Sequence, residues 1–169
     1  MRCDWANRSE LEKVYHDTEW GRPVTDDALL FEKMVLEVMQ AGLSWTTVIN
    51  KRENMRNAFD SFNVDIVSDY GLDKVSELLE NSRIIRNRRK IEAIINNAKM
   101  FKLIQSEFGS FSQYLWNFVD NQPVINHFEK DEELPTQSDL SVLISKDLKI
   151  WGFKFVGPVM MYAYLQGVG

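Results

Sequence analysis

The stretch "VLEVMQAGLSWTTVINKR" (residues 35–52) combines two helical patterns with a glycine between them. Its first part continues a stripe of apolar residues three or four apart, the spacing of one helix face: Leu30, Met34, Val38 and Ala41. Gly42 follows directly, and glycine commonly ends a helix. Ser44 has the hydroxyl side chain favoured at a helix N-cap. We therefore predict one helix up to Ala41, a tight turn, and a second helix that begins near Ser44.

The same spacing recurs along most of the chain and predicts further helices. In "RNRRKIEAIINNAKMFKLIQSEF" the apolar set is Ile91, Ile94, Ile95, Ala98, Phe101 and Leu103. "DIVSDY" and "LDKVSELLEN" predict short helices with aspartate N-caps, and "SFSQYLWNFV", "SDLSVLISKDLKIWG" and "VMMYAYLQGVG" predict further ones. Residues 121–137, rich in proline and acids, predict an exposed connection. Because period-two alternation is limited to "GFKFVG", we predict an all-α fold with no substantial sheet.

The composition is that of a globular domain. With 169 residues, 44% hydrophobic and 27% charged, the chain has the size of one domain or of two lobes that share a core. No apolar run approaches the roughly 20 residues that span a bilayer, and the N-terminus "MRCDWANRSE" lacks the apolar core of a signal peptide. The single cysteine, Cys3, is typical of a reducing compartment. The expected location is the cytoplasm, with no membrane partner.

The net charge of −5 excludes a protein that coats nucleic acid nonspecifically, because such binding needs concentrated lysine and arginine. The charge is unevenly spread, however. The segment "RIIRNRRK" (83–90) is basic and contains no acid, and Lys146, Lys149 and Lys154 form a second basic segment. Basic faces on an acidic protein are compatible with DNA binding.

Glu37 lies at the border of the apolar stripe rather than on the predicted solvent face, three residues after Met34 and four before Ala41. A surface pair with Lys33 is the ordinary alternative, although lysine before glutamate is the weaker order for a helix pair. A carboxylate at the edge of an apolar pocket strongly prefers a cation or a hydrogen-bond donor as partner. We therefore expect such a group opposite Glu37.

The stretch "LKIWGFKFVGPVMMYA" (148–163) predicts two helices joined by a tight turn that contains Gly152 and Gly157. The first amide groups of the second helix have no intrahelical partners, and such groups bind phosphate oxygens. The glycines would let a duplex backbone approach closely. Helix pairs of this kind are mostly structural, so the pattern alone leaves a structural and a DNA-binding interpretation open.

The N-terminal stretch "CDWANRSELEKVYHDTEWG" (3–21) concentrates aromatic rings, which can stack on nucleobases or anchor the terminus to the core: Trp5, Tyr15 and Trp20. Cys3 and His16 are a pair of residue types that can bind zinc. A structural zinc takes four ligands, however, and the one other histidine is His127. A buried thiol beside a hydrogen-bonded imidazole is the simpler interpretation of the two residues.

Together these motifs resemble the bacterial 3-methyladenine DNA glycosylase I family of the helix-hairpin-helix DNA glycosylase superfamily. The resemblance rests on "RCDW", "YHDTEWGRPVTDD", "LFEKMVLEVMQAGLSWTTVINKRE", "IIRNRRKIEAIINNA" and "GFKFVGPVMMYAYLQ", in family order across nearly the whole chain. It implies a single glycosylase domain, 1–169, with two helical lobes that share the pocket. The central helices would span 26–120, the hairpin element about 140–169, and the N-terminal segment would pack with 138–169.

The resemblance also implies roles for residues of the base pocket. Glu37 matches the family's carboxylate, which hydrogen-bonds the flipped adenine. The aromatic residues matched to the stacking and pocket-wall positions are Tyr15, Trp45, Trp5 and Trp20. Glu12 stands where relatives often have an aromatic residue near the pocket mouth, and its consequence for substrate preference is open.

Two further elements match parts of the family that contact DNA. Gly42 and Leu43 match the tip that fills the gap left in the duplex by the extruded nucleotide. The turn from Gly152 to Gly157 matches the phosphate-gripping hairpin, in which Lys154 is expected to contact phosphate or solvent.

The resemblance implies a structural zinc bound by Cys3 and His16 together with a C-terminal His-x3-Cys motif. This sequence ends at Gly169 without that motif. Two interpretations are open: the sequence is shorter than the natural protein, or this member has lost the metal. No cofactor is expected in the chemistry itself.

The implied activity is hydrolysis of the N-glycosidic bond of 3-methyladenine in alkylated double-stranded DNA after base flipping, with free 3-methyladenine as product. The expected protein is a monofunctional enzyme and a monomer in the bacterial cytoplasm. One alternative is a non-catalytic damaged-DNA-binding module of the same fold. A second is a bifunctional glycosylase/lyase that uses Lys154. Whether 3-methylguanine is also excised is left open.

Overall fold

A computed structural model of the protein describes residues 2–128 and 133–169. Within these ranges every regular element is a helix, in agreement with the predicted all-α fold. The α-helices are α1 (Glu10–Thr18), α2 (Asp27–Gln40), α3 (Trp45–Ala58), α4 (Val64–Ser68), α5 (Leu72–Glu80), α6 (Arg88–Phe108), α7 (Phe111–Trp116), α8 (Asp139–Trp151) and α9 (Pro158–Val168). Short 3-10 helices cover Asp4–Asn7, Asp60–Phe62 and Asn117–Val119. Among the described helices, none is long and apolar enough to cross a membrane.

Helix α2 forms the centre of the fold. It packs against α3, α6, α7 and α9, and all residues from 31 to 39 are buried. The helix is therefore enclosed on all sides, whereas a surface helix buries a single stripe. The predicted stripe is correct for Leu30, Met34 and Val38. It is wrong for Ala41, which is exposed because the chain leaves the helix at that residue.

Helix α6 is the longest element, with 21 residues, and supports both α2 and α7. Its buried face includes Ile94 and Phe101, as predicted. The prediction is wrong for Leu103, which is 51% exposed. At 3.6 residues per turn, Leu103 lies on the side of the helix opposite Ile94, and Ile104 is buried instead.

Side-chain caps determine where several helices begin. The Ser44 hydroxyl accepts a hydrogen bond from the Thr47 amide at 3.2 Å, so the predicted N-cap of α3 is confirmed. The predicted aspartate caps of α4 and α5 are wrong, because each helix already begins before its aspartate. Asn63 caps α4 by accepting from two backbone amides, and Gly71 precedes α5 without a side-chain cap.

Helices α8 and α9 pack against each other and are joined by the turn from Gly152 to Gly157. Gly152 ends α8 with φ +97°, a left-handed conformation that favours glycine, so the predicted turn between the two helices is confirmed. Asn97 of α6 binds the turn from the other side. Its side-chain oxygen accepts from the Lys154 amide at 2.8 Å, and its NH₂ group donates to the Lys154 carbonyl at 2.9 Å. The hairpin is thereby fixed to α6.

The segment after α1 lies along α9. The Gly21 amide donates to the Gln166 carbonyl at 3.1 Å, and the Val24 amide donates to the Val168 carbonyl at 2.9 Å. Because α9 also packs on α2, these contacts hold the N-terminal part of the chain close to the central helix.

Candidate active site

Glu37 is a buried carboxylate near the end of α2, with 9% of the residue exposed. Within the described ranges no group donates a hydrogen bond to it. Burial raises the pKa of Glu37 to about 8, and the positive charge of Lys33, one helical turn earlier, opposes this rise. The cation expected near Glu37 is therefore Lys33, but a hydrogen-bond donor is missing from the part of the chain that the structure describes.

The four aromatic residues expected in the pocket form one contiguous cluster. The Tyr15 ring centroid lies 5.0 Å from that of Trp45 and 6.3 Å from that of Trp5, and Trp5 lies 5.7 Å from Trp20. Tyr15 is 4% exposed and the three tryptophans are partly exposed. Burial, and next the charge of Glu37, raise the pKa of the Tyr15 phenol, so the carboxylate acts on this cluster.

Two buried donor atoms at this cluster have no hydrogen-bond partner in the described chain, the Lys33 Nζ and the Trp45 Nε1. The Lys33 Nζ lies 4.9 Å from the Tyr15 ring centroid, within cation–π range. A buried polar group without a partner costs free energy and is uncommon in folded proteins. These donors and the Glu37 carboxylate therefore indicate a place where a polar ligand binds.

An ionic cluster next to Lys33 was missed by the sequence analysis. Arg52 donates to both carboxylate oxygens of Glu19, at 2.7 and 2.9 Å, and to Glu32 at 2.7 Å. The Lys33 Nζ lies 3.7 Å from the Glu19 Oε2, which also accepts from Arg52. Since Glu32 and Glu19 are separated from Arg52 by 20 and 33 residues, no local pattern in the sequence could have indicated these pairs.

Glu12 is fully buried and links α1 to α3. Its carboxylate accepts hydrogen bonds from the Thr46 hydroxyl at 2.7 Å and from the Ser9 hydroxyl at 3.0 Å. Thr46 follows Trp45 directly, and Tyr15 lies on the same helix as Glu12. The residue therefore connects the two helices whose rings meet in the aromatic cluster.

Gly42 and Leu43 form an exposed tip between α2 and α3. Gly42 has φ +75°, and Leu43 is 42% exposed. The Lys90 ammonium donates to the carbonyls of Met39 at 2.7 Å and Ala41 at 2.5 Å. These carbonyls lie at the end of α2, where helix carbonyls have no intrahelical partner. Lys90 therefore fixes the base of the tip.

The basic segment 83–90 is divided between surface and interior. Its arginines are exposed: Arg83, Arg86, Arg88 and Arg89. Lys90 is only 5% exposed and is used to cap α2, so its inclusion in a basic surface was wrong. A basic segment alone could not distinguish the two outcomes, because the carbonyls that Lys90 binds lie 49 and 51 residues away in the sequence.

The hairpin turn has free backbone donors. The amides of Phe155, Val156 and Gly157 have no hydrogen-bond acceptor in the ranges that the structure describes, and α9 has no side-chain cap. The Lys154 side chain is exposed. Free amides at a helix N-terminus beside a lysine are suited to bind a phosphate oxygen.

Cys3 and His16 lie next to each other, with 3.4 Å between the Cys3 amide nitrogen and the His16 Nε2. The other ring nitrogen of His16 lies 3.0 Å from Asp17, and the ring stacks on Trp20 with centroids 5.3 Å apart. A structural zinc takes four donors. In the part of the chain that is described, no group of three histidine, cysteine or acidic residues could hold a metal. These residues therefore do not complete the zinc site that the resemblance implies.

The helical fold places a buried carboxylate beside a cluster of aromatic rings, an arrangement suited to recognising a nucleobase. Residues 5–169 match the family described as methyladenine glycosylase, and the chain belongs to this family.

Two named relatives align with nearly the whole chain. The DNA-3-methyladenine glycosylase of Haemophilus influenzae is 39% identical over 168 residues, which are 99% of this chain and 91% of that protein. The DNA-3-methyladenine glycosylase 1 of Escherichia coli is 42% identical over 168 residues, 99% of this chain and 90% of that protein. A structure of the Staphylococcus aureus 3-methyladenine DNA glycosylase I, described for its recognition of 3-methyladenine, aligns with a TM-score of 0.95 and 35% identity, over 99% and 89% of the two chains.

Proposed function

We propose that this protein is a DNA-3-methyladenine glycosylase that extrudes the alkylated base from duplex DNA and hydrolyses its N-glycosidic bond. The observation that carries the proposal is the buried Glu37 carboxylate, which has no donor in the described chain and acts on an aromatic cluster. Membership of the methyladenine glycosylase family and the named relatives support the same substrate.

Recognition of the base follows from its charge. Methylation at N3 makes the adenine of a nucleotide cationic, and the faces of Tyr15 and Trp45 attract a cation more than a neutral ring. The exocyclic amino group of the base can donate to Glu37, which supplies the partner that the carboxylate lacks. A neutral adenine would gain less from both interactions, so the pocket selects the alkylated base.

The chemical step needs little help from the protein. Water attacks C1′ of the sugar while the bond between C1′ and N9 breaks, and the electron pair of that bond neutralises the charge of the base. The base leaves neutral, and the attacking water loses its proton to solvent. Because alkylation has already activated the leaving group, binding and extrusion of the base are the main contributions of the enzyme.

Contacts with DNA are assigned to the tip and the hairpin. The exposed Leu43 side chain, raised on the turn at Gly42, fills the space of the extruded nucleotide. The amides of the turn from Gly152 to Gly157 hold a phosphate, with Lys154 beside them. Both elements are fixed from α6, by Lys90 at the tip and by the Asn97 side chain at the hairpin.

The proposed enzyme is monofunctional and acts as a monomer in the bacterial cytoplasm, where its substrate DNA lies. Lys154 is assigned to phosphate binding because its side chain is exposed and its backbone is held by Asn97. Incubation with alkylated DNA and borohydride should therefore trap no covalent adduct, and a trapped adduct would favour the lyase alternative.

The test of the proposed function is base release. Methylated duplex DNA is incubated with the protein, and the released bases are separated by chromatography. We expect free 3-methyladenine from the protein and much less from Glu37→Gln, while Glu107→Gln, an exposed glutamate of α6, matches the unsubstituted protein. Tight binding to abasic-site DNA without any base release would contradict the proposal and favour a damage-binding module.

A further inference from the structure

Lys33 carries a buried ammonium group that has no part in the proposed function described above. It is 6% exposed, and its Nζ has no hydrogen-bond partner in the described chain. It lies one helical turn before Glu37 on α2, a spacing that places the two side chains as neighbours on the helix surface. Burying an ammonium group is costly, so a site that retains one needs a compensating interaction.

Four groups compensate this charge. The Glu19 carboxylate lies 3.7 Å from the Lys33 Nζ, and the Tyr15 ring centroid lies 4.9 Å from it. The negative charge of Glu32 also favours the ammonium, and Glu37 attracts it across one turn. Glu19 is shared with Arg52, so it is only partly available to Lys33. The Lys33 ammonium therefore also interacts electrostatically with the Glu37 carboxylate.

We propose that Lys33 is a positioning residue of the base pocket, whose buried ammonium favours the ionised form of Glu37 and so maintains the acceptor that the base requires. The inference rests on the proposed function and deepens it. It assigns to Lys33 the range of pH over which the pocket binds its base.

The remaining ionisable groups that act on Glu37 do not replace Lys33. Tyr15 from α1 and Tyr164 from α9 both interact with the carboxylate, and burial raises the pKa of each phenol, so both stay neutral over the relevant range. The Lys90 ammonium, which binds carbonyls at the end of α2, is not among the groups that shift Glu37. In the described chain, Lys33 is the cation that lowers the pKa of Glu37 against the effect of burial.

The test is the pH dependence of binding of free 3-methyladenine, followed by tryptophan fluorescence between pH 6 and pH 10. In Lys33→Met, which keeps the length of the side chain and removes its charge, we expect the midpoint of binding to move to higher pH. Affinity should fall roughly three- to tenfold at pH 7 and approach that of the unsubstituted protein near pH 10. Lys33→Arg keeps the charge and should keep the midpoint.

For a second variant we expect the pH midpoint of binding to shift in the opposite direction. Glu19→Gln removes the competing partner of Lys33, so the midpoint should move to lower pH and affinity at pH 7 should rise. Loosened packing cannot move the midpoint in both directions. Lys74→Met is a matched control, because Lys74 also pairs with a glutamate, Glu77, and lies over a tyrosine ring, yet sits on α5 away from the pocket.

Two outcomes overturn different statements. If Lys33→Met weakens binding by the same factor at every pH, Lys33 is only a packing residue and the inference is wrong, although the proposed function stands. If the unsubstituted protein fails to bind 3-methyladenine at any pH, the proposed function itself is wrong. Melting temperatures of all variants, measured in parallel, show that the compared proteins are folded.

Discussion

The buried position of Glu37, which its proposed role requires, destabilises the folded protein at high pH. Its pKa is about 8 in the folded protein, against an ordinary value of 4.5. Between these two values the unfolded chain has released its proton while the folded protein retains it. Stability therefore falls as pH rises from about 4.5 to 8, and the full penalty is present above pH 8. The difference between the two pKa values corresponds to a loss of stability on the order of a few kcal/mol.

This cost predicts a stabilised variant. Glu37→Gln has no charge to bury. The difference in melting temperature between this variant and the unsubstituted protein should therefore shift in favour of the variant by several degrees when the pH is raised from 5 to 8.5. Thermal unfolding by circular dichroism at the two pH values measures the difference. A difference in melting temperature that is the same at both pH values would contradict the buried, proton-linked state of this carboxylate.

Two helix ends carry the elements that are proposed to meet DNA, and both are held by side chains of α6. At the tip, the Lys90 ammonium makes two charge-assisted hydrogen bonds to carbonyls of α2. Lys90→Met removes them and leaves the carbonyls unpaired. We expect a loss of about 2–4 kcal/mol in stability and faster hydrogen exchange of the amides of residues 41–44. Unchanged exchange in the tip would show that Lys90 does not fix it.

At the hairpin, Asn97 holds both the amide and the carbonyl of Lys154. Asn97→Ala should loosen the turn and weaken binding to undamaged duplex DNA, while the affinity for free 3-methyladenine stays within about twofold of the unsubstituted protein. Fluorescence titrations with each ligand separate the two effects. Equal weakening for both ligands would mean that Asn97 supports the fold as a whole and not the hairpin alone.

The same elements show what local sequence signals can predict. The end of α2 near Gly42, the Ser44 cap of α3 and the turn at Gly152 depend on residues close in sequence, and the structure confirms them. Lys90 and Arg52 are different, because their partners lie far away in the sequence and are brought close only by the packing of the helices. The same limitation applies to Lys33, for which the helix spacing indicates only a surface pair with Glu37.

In the whole molecule, α2 is the central helix that holds the parts of the site together. It carries Lys33 and Glu37, ends in the exposed tip, and packs against α9, which begins at the proposed phosphate-binding turn. The segment after α1 is bonded to α9, and the chain up to that segment supplies Tyr15 and two tryptophans. The base pocket therefore depends on segments from both ends of the chain, which explains why no short motif was sufficient to indicate it.

The most direct test of Glu37 as the acceptor for the base is the affinity for free 3-methyladenine. We would measure it at pH 8.5 for the unsubstituted protein and for Glu37→Gln, which keeps the shape of the side chain. Loss of a charged hydrogen bond predicts binding weaker by roughly ten- to a hundredfold, with little change in affinity for undamaged duplex DNA. Equal affinity of the two proteins for the free base would contradict the role of Glu37.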